Sequence, residues 1–381
     1  MDSLISQLRE QVSRPVEAAR GLPNACYTDP AFFRFEQRRL FARHWTAVGV
    51  GAEIPNPGDV KPVSVAGQPV ILVRGRDGAL RGFHNVCSHR GMTLVTQPCN
   101  GQAVLRCPYH SWAYGLDGAL KATPFVGGAG QNSHPDFSKA DKGLKPVRVG
   151  VFWDIVFVDL SGEAPALEEW MRPVAERWHY YDASRMRHGA AEDSTGQFTL
   201  QANWKLAMEN FCESYHLPWI HPGLNSYSRL EDHYHIFGSS FAGQGSRKYS
   251  PVESGNGHFP QLTGLPPEAV SGAEYLAVFP NLWLGAQCDH FYAVILDPVA
   301  PDRVVETMHL YYVGEEAAQA SGYAPLREQN KRLWSQVFLE DVGVVEGMQR
   351  GRASPAFDGG CFSPAMDTPT LHFHRLVAAG L

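Results

Sequence analysis

Residues 85–112 read NVCSHRGMTLVTQPCNGQAVLRCPYHSW, and they contain the pattern that decides the fold of the first half of the chain. Cys87 and His89 are separated by one residue, and Cys107 and His110 are separated by two. Each pair offers one thiolate and one imidazole, and the glycines that follow both pairs favour tight turns. We therefore expect two hairpin tips that hold one metal centre between them.

Two thiolates and two imidazoles are the ligands of a Rieske [2Fe–2S] centre, in which two histidines replace two cysteines on one iron. Neutral imidazoles in place of thiolates raise the reduction potential of the cluster. Such a centre therefore accepts single electrons from a ferredoxin-type donor. The alternative is a structural Cys2His2 zinc site, but zinc motifs usually group cysteine with cysteine and histidine with histidine. The mixed pairs favour the cluster, with Tyr109 or Ser111 as candidate hydrogen-bond donors to its sulfur atoms.

The composition predicts a globular protein with room for two domains. The chain has 381 residues, of which 44% are hydrophobic and 19% are charged. A net charge of −6 without a clustered basic face argues against a nucleic-acid partner. The sequence contains no apolar leader and no membrane-spanning run, and its seven cysteines are scattered, so we expect a cytoplasmic protein that does not bind membranes.

The order of strand and helix patterns predicts an α+β fold. Residues 1–45 are expected to be helical and to belong to a catalytic domain, with Asp29 as N-cap and Pro30 at the first helical position. Short strand patterns over residues 46–155 predict a β-domain around the cluster. Residues 156–381 alternate strands with helices and include one long helix near 325–350, which predicts an antiparallel sheet closed by a helix.

A second metal site is predicted in the catalytic segment. His216 and His221 are five residues apart, which is poor spacing for one face of an unbroken helix. Pro218 and Pro222 each disfavour helix in the residue before them, so we expect the helix to end near His216 and the chain to turn back. Both imidazoles then meet at one ion, although a pair of ordinary core histidines is the alternative.

Asp341 is the candidate third ligand. On the long helix it falls within a stripe of apolar residues, while Glu340 falls at the edge of that stripe. A carboxylate on an apolar face is costly unless it is paired or binds metal. With the two histidines it forms the 2-His-1-carboxylate set of non-haem iron(II) enzymes. A buried aspartate that bonds an amide or an arginine is the alternative.

The two sites explain each other, because oxygen activation at iron needs two electrons that a cluster supplies singly. The sequence has neither a G-x-G-x-x-G dinucleotide motif nor a Walker A motif, so the electrons must come from another protein. A pure Rieske electron carrier is the non-enzyme alternative, and a zinc-bound structural protein is a third class. The 200 or so residues beyond the cluster motif, with their own ligand set, speak against both.

The chain resembles the α-subunit of Rieske non-haem iron oxygenases, the aromatic-ring-hydroxylating oxygenase family. This resemblance implies a Rieske domain inserted in a helix-grip catalytic domain, mono- or dioxygenase chemistry, and a homotrimer in which one subunit's cluster serves its neighbour's iron. It also implies an NAD(P)H-dependent flavin or iron–sulfur reductase, with or without a ferredoxin. The motifs that carry it are Asn85-Val-Cys-Ser-His-Arg-Gly91, Cys107-Pro-Tyr-His-Ser-Trp112, Asn203-Trp-Lys205 and Glu340-Asp341.

The resemblance also assigns a carboxylate between the two sites. The family places an acidic residue three positions before the first iron histidine, and here that residue is Glu213 where most members have aspartate. Carried over, Glu213 joins His110 of one subunit to His216 of the next. Asn203 and Asn210 are further candidates for a role beside the iron.

Glu213 and the Glu-Ser-Tyr-His sequence resemble the branch of the family that acts on carnitine, glycine betaine, stachydrine and choline. Such cations suit a box of aromatic rings. The runner-up is an aromatic-acid hydroxylase or O-demethylase, with His290 or Arg229 as the anchor for a carboxylate. The candidate box residues are Phe211, Trp219, Tyr227, Trp283, Phe291 and Tyr292.

Overall fold

The computed structural model describes residues 1–255, 257–357 and 359–381, and it divides the chain into two compact units. The small unit is Phe41–Leu167, and the large unit combines Met1–Leu40 with Glu168–Leu381. Residues 41–45 and 156–167, which we expected in the catalytic segments, therefore fall in the small unit. The physical reason is strand pairing, because the strand over residues 155–159 lies between two other strands of the small unit.

The small unit is built from antiparallel strands in a six-stranded sheet of order β1-β9-β8-β4-β3-β2 and a three-stranded sheet of order β5-β6-β7. Its strands are β1 Thr46–Val50, β2 Val60–Val65, β3 Gln68–Arg74, β4 Leu80–His84, β5 Leu105–Arg106, β6 Ala113–Tyr114, β7 Leu120–Ala122, β8 Pro146–Phe152 and β9 Ile155–Asp159.

Strand β3 is buried on both faces and separates two apolar cores. Ile71 and Val73 pack in the core that includes Cys87 and Cys107. Val70 and Leu72, which point to the other face, pack in a second core with residues of β9. A strand covered on both sides is a rigid support. The core that holds Cys87 and Cys107 thus rests on a strand whose central residues are buried on both faces.

The large unit contains an antiparallel sheet of order β10-β19-β18-β17-β16-β13-β12, with β11 paired to β19. Its strands are β10 Met186–His188, β11 Thr195–Leu200, β12 His233–Phe237, β13 Phe241–Ser246, β14 Glu253–Ser254, β15 Gly257–His258, β16 Ala273–Val278, β17 Leu282–Ala286, β18 His290–Ala300 and β19 Arg303–Val313.

The helices confirm the expected α+β class, and the long helix runs over residues 324–351. No helix of the described residues is long and apolar enough to cross a bilayer. The α-helices are α1 Asp2–Ser13, α2 Ala25–Thr28, α3 Pro30–Glu36, α4 Leu167–Arg177, α5 Ala191–Ser194, α6 Trp204–Cys212, α7 Leu217–Ile220, α8 Pro222–Asn225, α9 Pro267–Ser271, α10 Gly314–Gln319, α11 Ala324–Gly351 and α12 Thr368–Gly380.

Helix α6 is fixed to the N-terminal segment by buried polar groups. Asp29 caps α3 by accepting from the Ala31 N–H at 2.7 Å, as expected, but α3 ends at Glu36 and a π-helical turn follows. Glu36 then accepts from Lys205 Nζ at 2.7 Å, and both side chains are fully buried. Because a half-broken buried ion pair is costly, this pair holds α6, and with it the residues that follow α6, in one position.

Candidate metal centres

The two loops of the small unit close with the same backbone pattern. The N–H groups of Cys87 and Cys107 each donate to the carbonyl five residues further on, at 2.8 Å in both loops. The residues four after each cysteine, Gly91 and Ser111, return a hydrogen bond to the cysteine carbonyl at 3.0 Å and have φ of +74° and +58°. The loops are therefore equivalent tight turns, as the sequence predicts.

The two loops bring the candidate cluster histidines together, and the two cysteines belong to one apolar core. The rings of His89 and His110 are 4.7 Å apart, and both cysteines are 2% exposed. Nδ1 of His110 is buried without a hydrogen-bond partner, which fits a nitrogen that a cluster iron would bind. Desolvation and the neighbouring His110 lower the pKa of His89, so its ring stays neutral as a ligand must be.

Tyr114 is a cluster neighbour that the sequence analysis missed. Its hydroxyl lies 3.1 Å from Sγ of Cys87 and 3.0 Å from the N–H of Ser88. Burial and the Cys87 contact raise the pKa of Tyr114 to about 12, so the hydroxyl keeps its proton to donate to a thiolate. Of the two donors proposed from sequence, Tyr109 instead packs its ring 3.7 Å from that of His110.

In the large unit the two iron-ligand candidates flank one short helix. Helix α6 ends at Cys212, four residues before His216, and α7 occupies Leu217–Ile220 between the two histidines. Pro218 and Pro222 stand in the first turns of α7 and α8. The five-residue spacing thus spans a complete short helix, which brings the two rings to 5.1 Å.

Asp341 completes the group. Its Oδ1 lies 3.1 Å from Nε2 of His221 and 3.7 Å from Nε2 of His216, and the candidate ligand atoms all lie within 4.8 Å of one another. Asp341 Oδ1 is buried without a hydrogen-bond partner. One buried carboxylate oxygen facing two imidazole nitrogens fits a bound iron and does not fit the alternative of an aspartate held through that oxygen by an amide or an arginine.

Two outer carboxylates orient the histidines. Glu213 Oε1 lies 2.6 Å from Nδ1 of His216, and Glu340 Oε2 lies 2.8 Å from Nδ1 of His221. A carboxylate accepts the Nδ1 proton, which leaves each Nε2 free of hydrogen and directed at Asp341. Glu340 was placed only at the edge of the helical stripe by the sequence analysis, so its bond to His221 is new.

The two asparagines differ in position. Asn203 caps α6 by accepting from the Lys205 N–H at 3.1 Å, and its side chain donates to the Pro301 carbonyl at 2.7 Å. These bonds give Asn203 a structural role. Asn210 lines the cavity beside His216 and Asp341, and a role at the iron stays a prediction for both asparagines.

The cavity at the candidate iron site has aromatic walls, which correct the predicted box. Phe211 and Tyr292 line it, whereas Trp283 stacks behind Phe211 at 4.5 Å. Phe291 and Tyr292 are adjacent in β18, so their side chains point to opposite faces of the sheet. Phe291 packs against Trp178 and does not line the cavity. The remaining two predicted residues, Trp219 and Tyr227, are 69% and 36% exposed and do not line it.

Three lining aromatic residues were missed, namely Tyr275, Trp334 and Phe338. Trp334 and Phe338 are four residues apart on α11, and Asp341 follows three residues later, so helical spacing alone places all three on one face. Tyr275 lies in β16 and carried no comparable signal.

Neither proposed carboxylate anchor of the runner-up enzyme is available at the cavity. Nδ1 of His290 lies 2.8 Å from Oδ1 of Asp289, and its Nε2 accepts from Trp334 Nε1 at 2.7 Å. Arg229 has a side chain that is 57% exposed and lies 3.4 Å from Glu231. Both nitrogens of His290 are therefore committed inside the protein, and Arg229 is at the surface.

Comparison with known protein families agrees with the two sites. Residues 170–381 match the family described as "Ring hydroxylating alpha subunit (catalytic domain)", and residues 44–134 match the "Rieske [2Fe-2S] domain". The chain therefore belongs to the ring-hydroxylating α-subunit family of Rieske oxygenases. Its cofactors are a Rieske [2Fe–2S] cluster and the mononuclear iron of the catalytic domain, and it is an oxidoreductase that works with a separate reductase.

Similar proteins in the curated set are monooxygenase components. The glycine betaine monooxygenase oxygenase subunit of Chromohalobacter salexigens is 29% identical over 98% of this chain and 89% of its own length. The carnitine monooxygenase oxygenase subunit of Acinetobacter pittii is 27% identical over 94% and 92%. The chloroplastic choline monooxygenase of Arabidopsis thaliana is 29% identical over 95% and 83%.

Solved structures share the fold. A quaternary ammonium Rieske monooxygenase superimposes with a TM-score of 0.80 at 23% identity, over 97% of this chain and 98% of the other. Naphthalene 1,2-dioxygenase from Rhodococcus sp. gives a TM-score of 0.77 at 20% identity, over 99% and 97%. The Rieske-plus-helix-grip fold predicted from the sequence is thereby confirmed.

Proposed function

We propose that this chain is the oxygenase component of a monooxygenase that uses O2 and NAD(P)H-derived electrons to hydroxylate and N-demethylate a small quaternary ammonium compound. Hydroxylation of an N-methyl group gives an N-hydroxymethyl cation, which releases an aldehyde, a tertiary amine and a proton. The observation that carries the proposal is the combination of aromatic walls and carboxylates at the candidate iron site. The names of the curated relatives support the same substrate class.

The charge around the cavity favours a cation. Five aromatic rings line it, and among the lining residues that the structure describes there is no lysine or arginine. Asp341 lies in the wall, and Glu213 and Glu340 stand directly behind the histidines. Ring faces attract a quaternary ammonium group, which has no N–H to donate, and the three carboxylates more than offset the two positive charges of an iron(II) ion bound among them.

We assign the metal ligands from the same geometry. Cys87, His89, Cys107 and His110 hold the cluster. His216, His221 and Asp341 hold the iron, which when bound supplies oxygen activation. Glu213 and Glu340 fix the tautomer and the direction of the two iron histidines.

The assembly we propose is a homotrimer in which Glu213 joins His110 of one subunit to His216 of the next. A solved relative is described as revealing inter-subunit electron transfer in that protein. Each site of this chain has an exposed aromatic neighbour, Tyr109 at 56% and Trp219 at 69% exposure, and aromatic residues are enriched in protein interfaces. The kind of reductase, the need for a ferredoxin and the cytoplasmic location stay predictions.

Mixing two inactive variants tests this assembly. Cys107→Ser should lack the cluster, and His216→Ala should lack the mononuclear iron while the cluster signal in electron paramagnetic resonance persists. If electrons cross between subunits, mixed oligomers regain part of the activity because one interface pairs an intact cluster with an intact iron. Mixtures that stay inactive, although mass analysis shows mixed oligomers, would argue for transfer within one chain.

Ligand-dependent stability tests the substrate class. Thermal unfolding of the holoprotein is measured with glycine betaine, carnitine and choline, and with benzoate-type aromatic acids. Binding to the native state raises the melting temperature, and we expect shifts only with the cations. Shifts only with aromatic acids would contradict the proposal and favour the runner-up hydroxylase.

A further inference from the structure

The wall formed by Trp334 is connected to a buried carboxylate that the proposed chemistry does not use. The indole Nε1–H donates to Nε2 of His290 at 2.7 Å, and Nδ1 of His290 lies 2.8 Å from Oδ1 of Asp289. Trp334 is 3% exposed, and His290 and Asp289 are fully buried. The three side chains thus form a hydrogen-bonded chain that is closed to solvent and ends at the cavity.

The direction of each hydrogen bond is fixed by the chemistry of the groups. An indole nitrogen only donates, so Nε2 of His290 accepts and carries no proton. The proton of the neutral imidazole is then on Nδ1, where it faces the carboxylate of Asp289. Every donor in this chain therefore points away from the cavity and toward the negative charge.

Asp289 is held as a carboxylate and not as a partner of a cation. Besides His290 it accepts from the Tyr249 hydroxyl at 2.9 Å and from the Val252 N–H at 3.2 Å. Within the described part of the chain, no lysine or arginine lies within salt-bridge distance of Asp289. Its charge is uncompensated except through hydrogen bonds.

Trp334 packs against three other aromatic rings of the cavity wall. Its centroid lies 4.6 Å from that of Tyr292, 6.0 Å from that of Tyr275 and 6.2 Å from that of Phe338. Fixing the indole through its N–H therefore also fixes the ring against which these three wall residues pack.

We propose that Asp289 and His290 are positioning residues that orient and polarise Trp334, and so strengthen the attraction between its ring face and the cationic group of the substrate. Hydrogen-bond chains in a low-dielectric interior polarise one another, and a pull on the indole N–H moves electron density onto the ring. Tryptophan is the aromatic residue that holds cations best. This role rests on the proposed function, because a neutral substrate would gain nothing from the polarisation.

Pairs of ligands that differ only in charge test this role. Glycine betaine is compared with 3,3-dimethylbutanoate, and choline with 3,3-dimethylbutan-1-ol, in which carbon replaces the nitrogen. Dissociation constants are measured by calorimetry on the holoprotein, and the constant of the carbon analogue divided by that of the ammonium ligand gives the cation preference of each pair. We expect a preference of about tenfold or more in the wild type for at least one pair.

Asp289→Asn keeps the shape of the side chain but removes the charge, so the preference should fall about three- to tenfold through weaker binding of the cation alone. Trp334→Phe, which keeps a ring but has no N–H, should show a similar loss, and the double variant should lose no more than either single variant. Tyr249→Phe is the matched control. It removes one hydrogen bond to Asp289 and the 3.3 Å contact of the hydroxyl with Nδ1 of His290, but it leaves the charge and the His290–Trp334 bond, so the preference should stay close to that of the wild type.

The outcomes separate this role from the proposed function. If the wild type shows no preference for the cation, both the polarising role and the proposed function are wrong. A wild type that prefers the cation, with an Asp289→Asn variant that keeps the preference or weakens both ligands equally, overturns the polarising role alone. If Asp289→Asn does not fold, an unchanged cation preference in Trp334→Phe overturns the polarising role.

Discussion

Glu340 Oε2 lies 2.8 Å from Nδ1 of His221, and this contact directs Nε2 of the same ring at Asp341. Glu340 itself is held by Gln336, whose Nε2 donates to its other oxygen at 2.9 Å. Neighbouring residues 340 and 341 therefore serve the same histidine from two sides, one through each ring nitrogen.

Glu340→Gln should weaken binding of the mononuclear iron about 10- to 100-fold, because an amide holds the His221 tautomer less firmly than a carboxylate. Iron retained after dialysis against a chelator, measured per chain, gives the effect. Glu328→Gln, on the exposed part of the same helix, is the matched control and should retain iron like the wild type. Equal retention in both variants would mean that Glu340 does not support His221.

Tyr114→Phe should lower the reduction potential of the cluster, because it removes a hydrogen bond that stabilises negative charge on Cys87 sulfur. A redox titration followed by electron paramagnetic resonance measures the potential. Tyr109→Phe removes a hydroxyl from the ring packed on His110 and should leave the potential close to that of the wild type. If Tyr109→Phe lowers the reduction potential and Tyr114→Phe does not, the tuning role belongs to Tyr109.

Glu213→Ala should keep the cluster, and with excess iron supplied it should also keep the mononuclear iron, yet coupled turnover should be abolished, since the bond to His216 and the proposed link to the neighbouring cluster are lost together. Iron content, the cluster spectrum and product formed per O2 consumed are measured on the same sample. Full activity in this variant would remove the bridging role from Glu213.

Lys205→Met should destabilise the large unit by about 3–5 kcal/mol, because it leaves Glu36 buried without its partner. The double variant Lys205→Met with Glu36→Leu should recover most of that loss, since no buried charge remains. Urea unfolding followed by tryptophan fluorescence compares the midpoints. A double variant as unstable as the single one would show that the pair is needed for more than charge balance.

Glu306, on β19, should make stability depend on pH. Burial, and then the charge of Asp341, raise its pKa from 4.5 to about 8. The unfolded chain releases this proton above about pH 4.5 while the native protein keeps it, so the native state loses up to about 1.4 kcal/mol per pH unit until about pH 8. Glu306→Gln should remove this loss, and its advantage in urea midpoint should grow from pH 5 to pH 8. An advantage that does not change with pH would place the ionisation elsewhere.

The metal-ligand candidates were accessible from sequence because each rests on a local rule. Pro218 and Pro222 predict that one helix does not run through both histidines, although α6 ends earlier than expected, at Cys212, and the short helix α7 lies between His216 and His221. Helical phase predicts the inward position of Asp341. The partnership of Glu340 was not accessible, because it depends on how the His221 ring is turned in three dimensions. Tyr114 was not accessible for the same reason, since it lies in β6 after the second cluster loop while Cys87 belongs to the first loop, and only the three-dimensional fold brings the two together.

The aromatic wall was only partly predictable. Phe291 and Tyr292 are adjacent in β18, so strand alternation allows only one of them to face the cavity, and the sequence alone does not say which. Trp334 and Phe338 share the helical face of Asp341 and were within reach of the spacing that identified it. Tyr275 depends on the pairing of distant strands, which no local pattern reports.

The most direct test of the central claim is a single turnover of oxygenase whose cluster has been chemically reduced. The protein is exposed to O2 with a pool of quaternary ammonium compounds or with a pool of aromatic acids, and mass spectrometry and an aldehyde trap record the products. We predict a tertiary amine and an aldehyde from the first pool, in an amount limited by the electrons stored in the cluster. Oxygenated product from the aromatic pool alone would contradict the substrate assignment, while leaving the two metal centres in place.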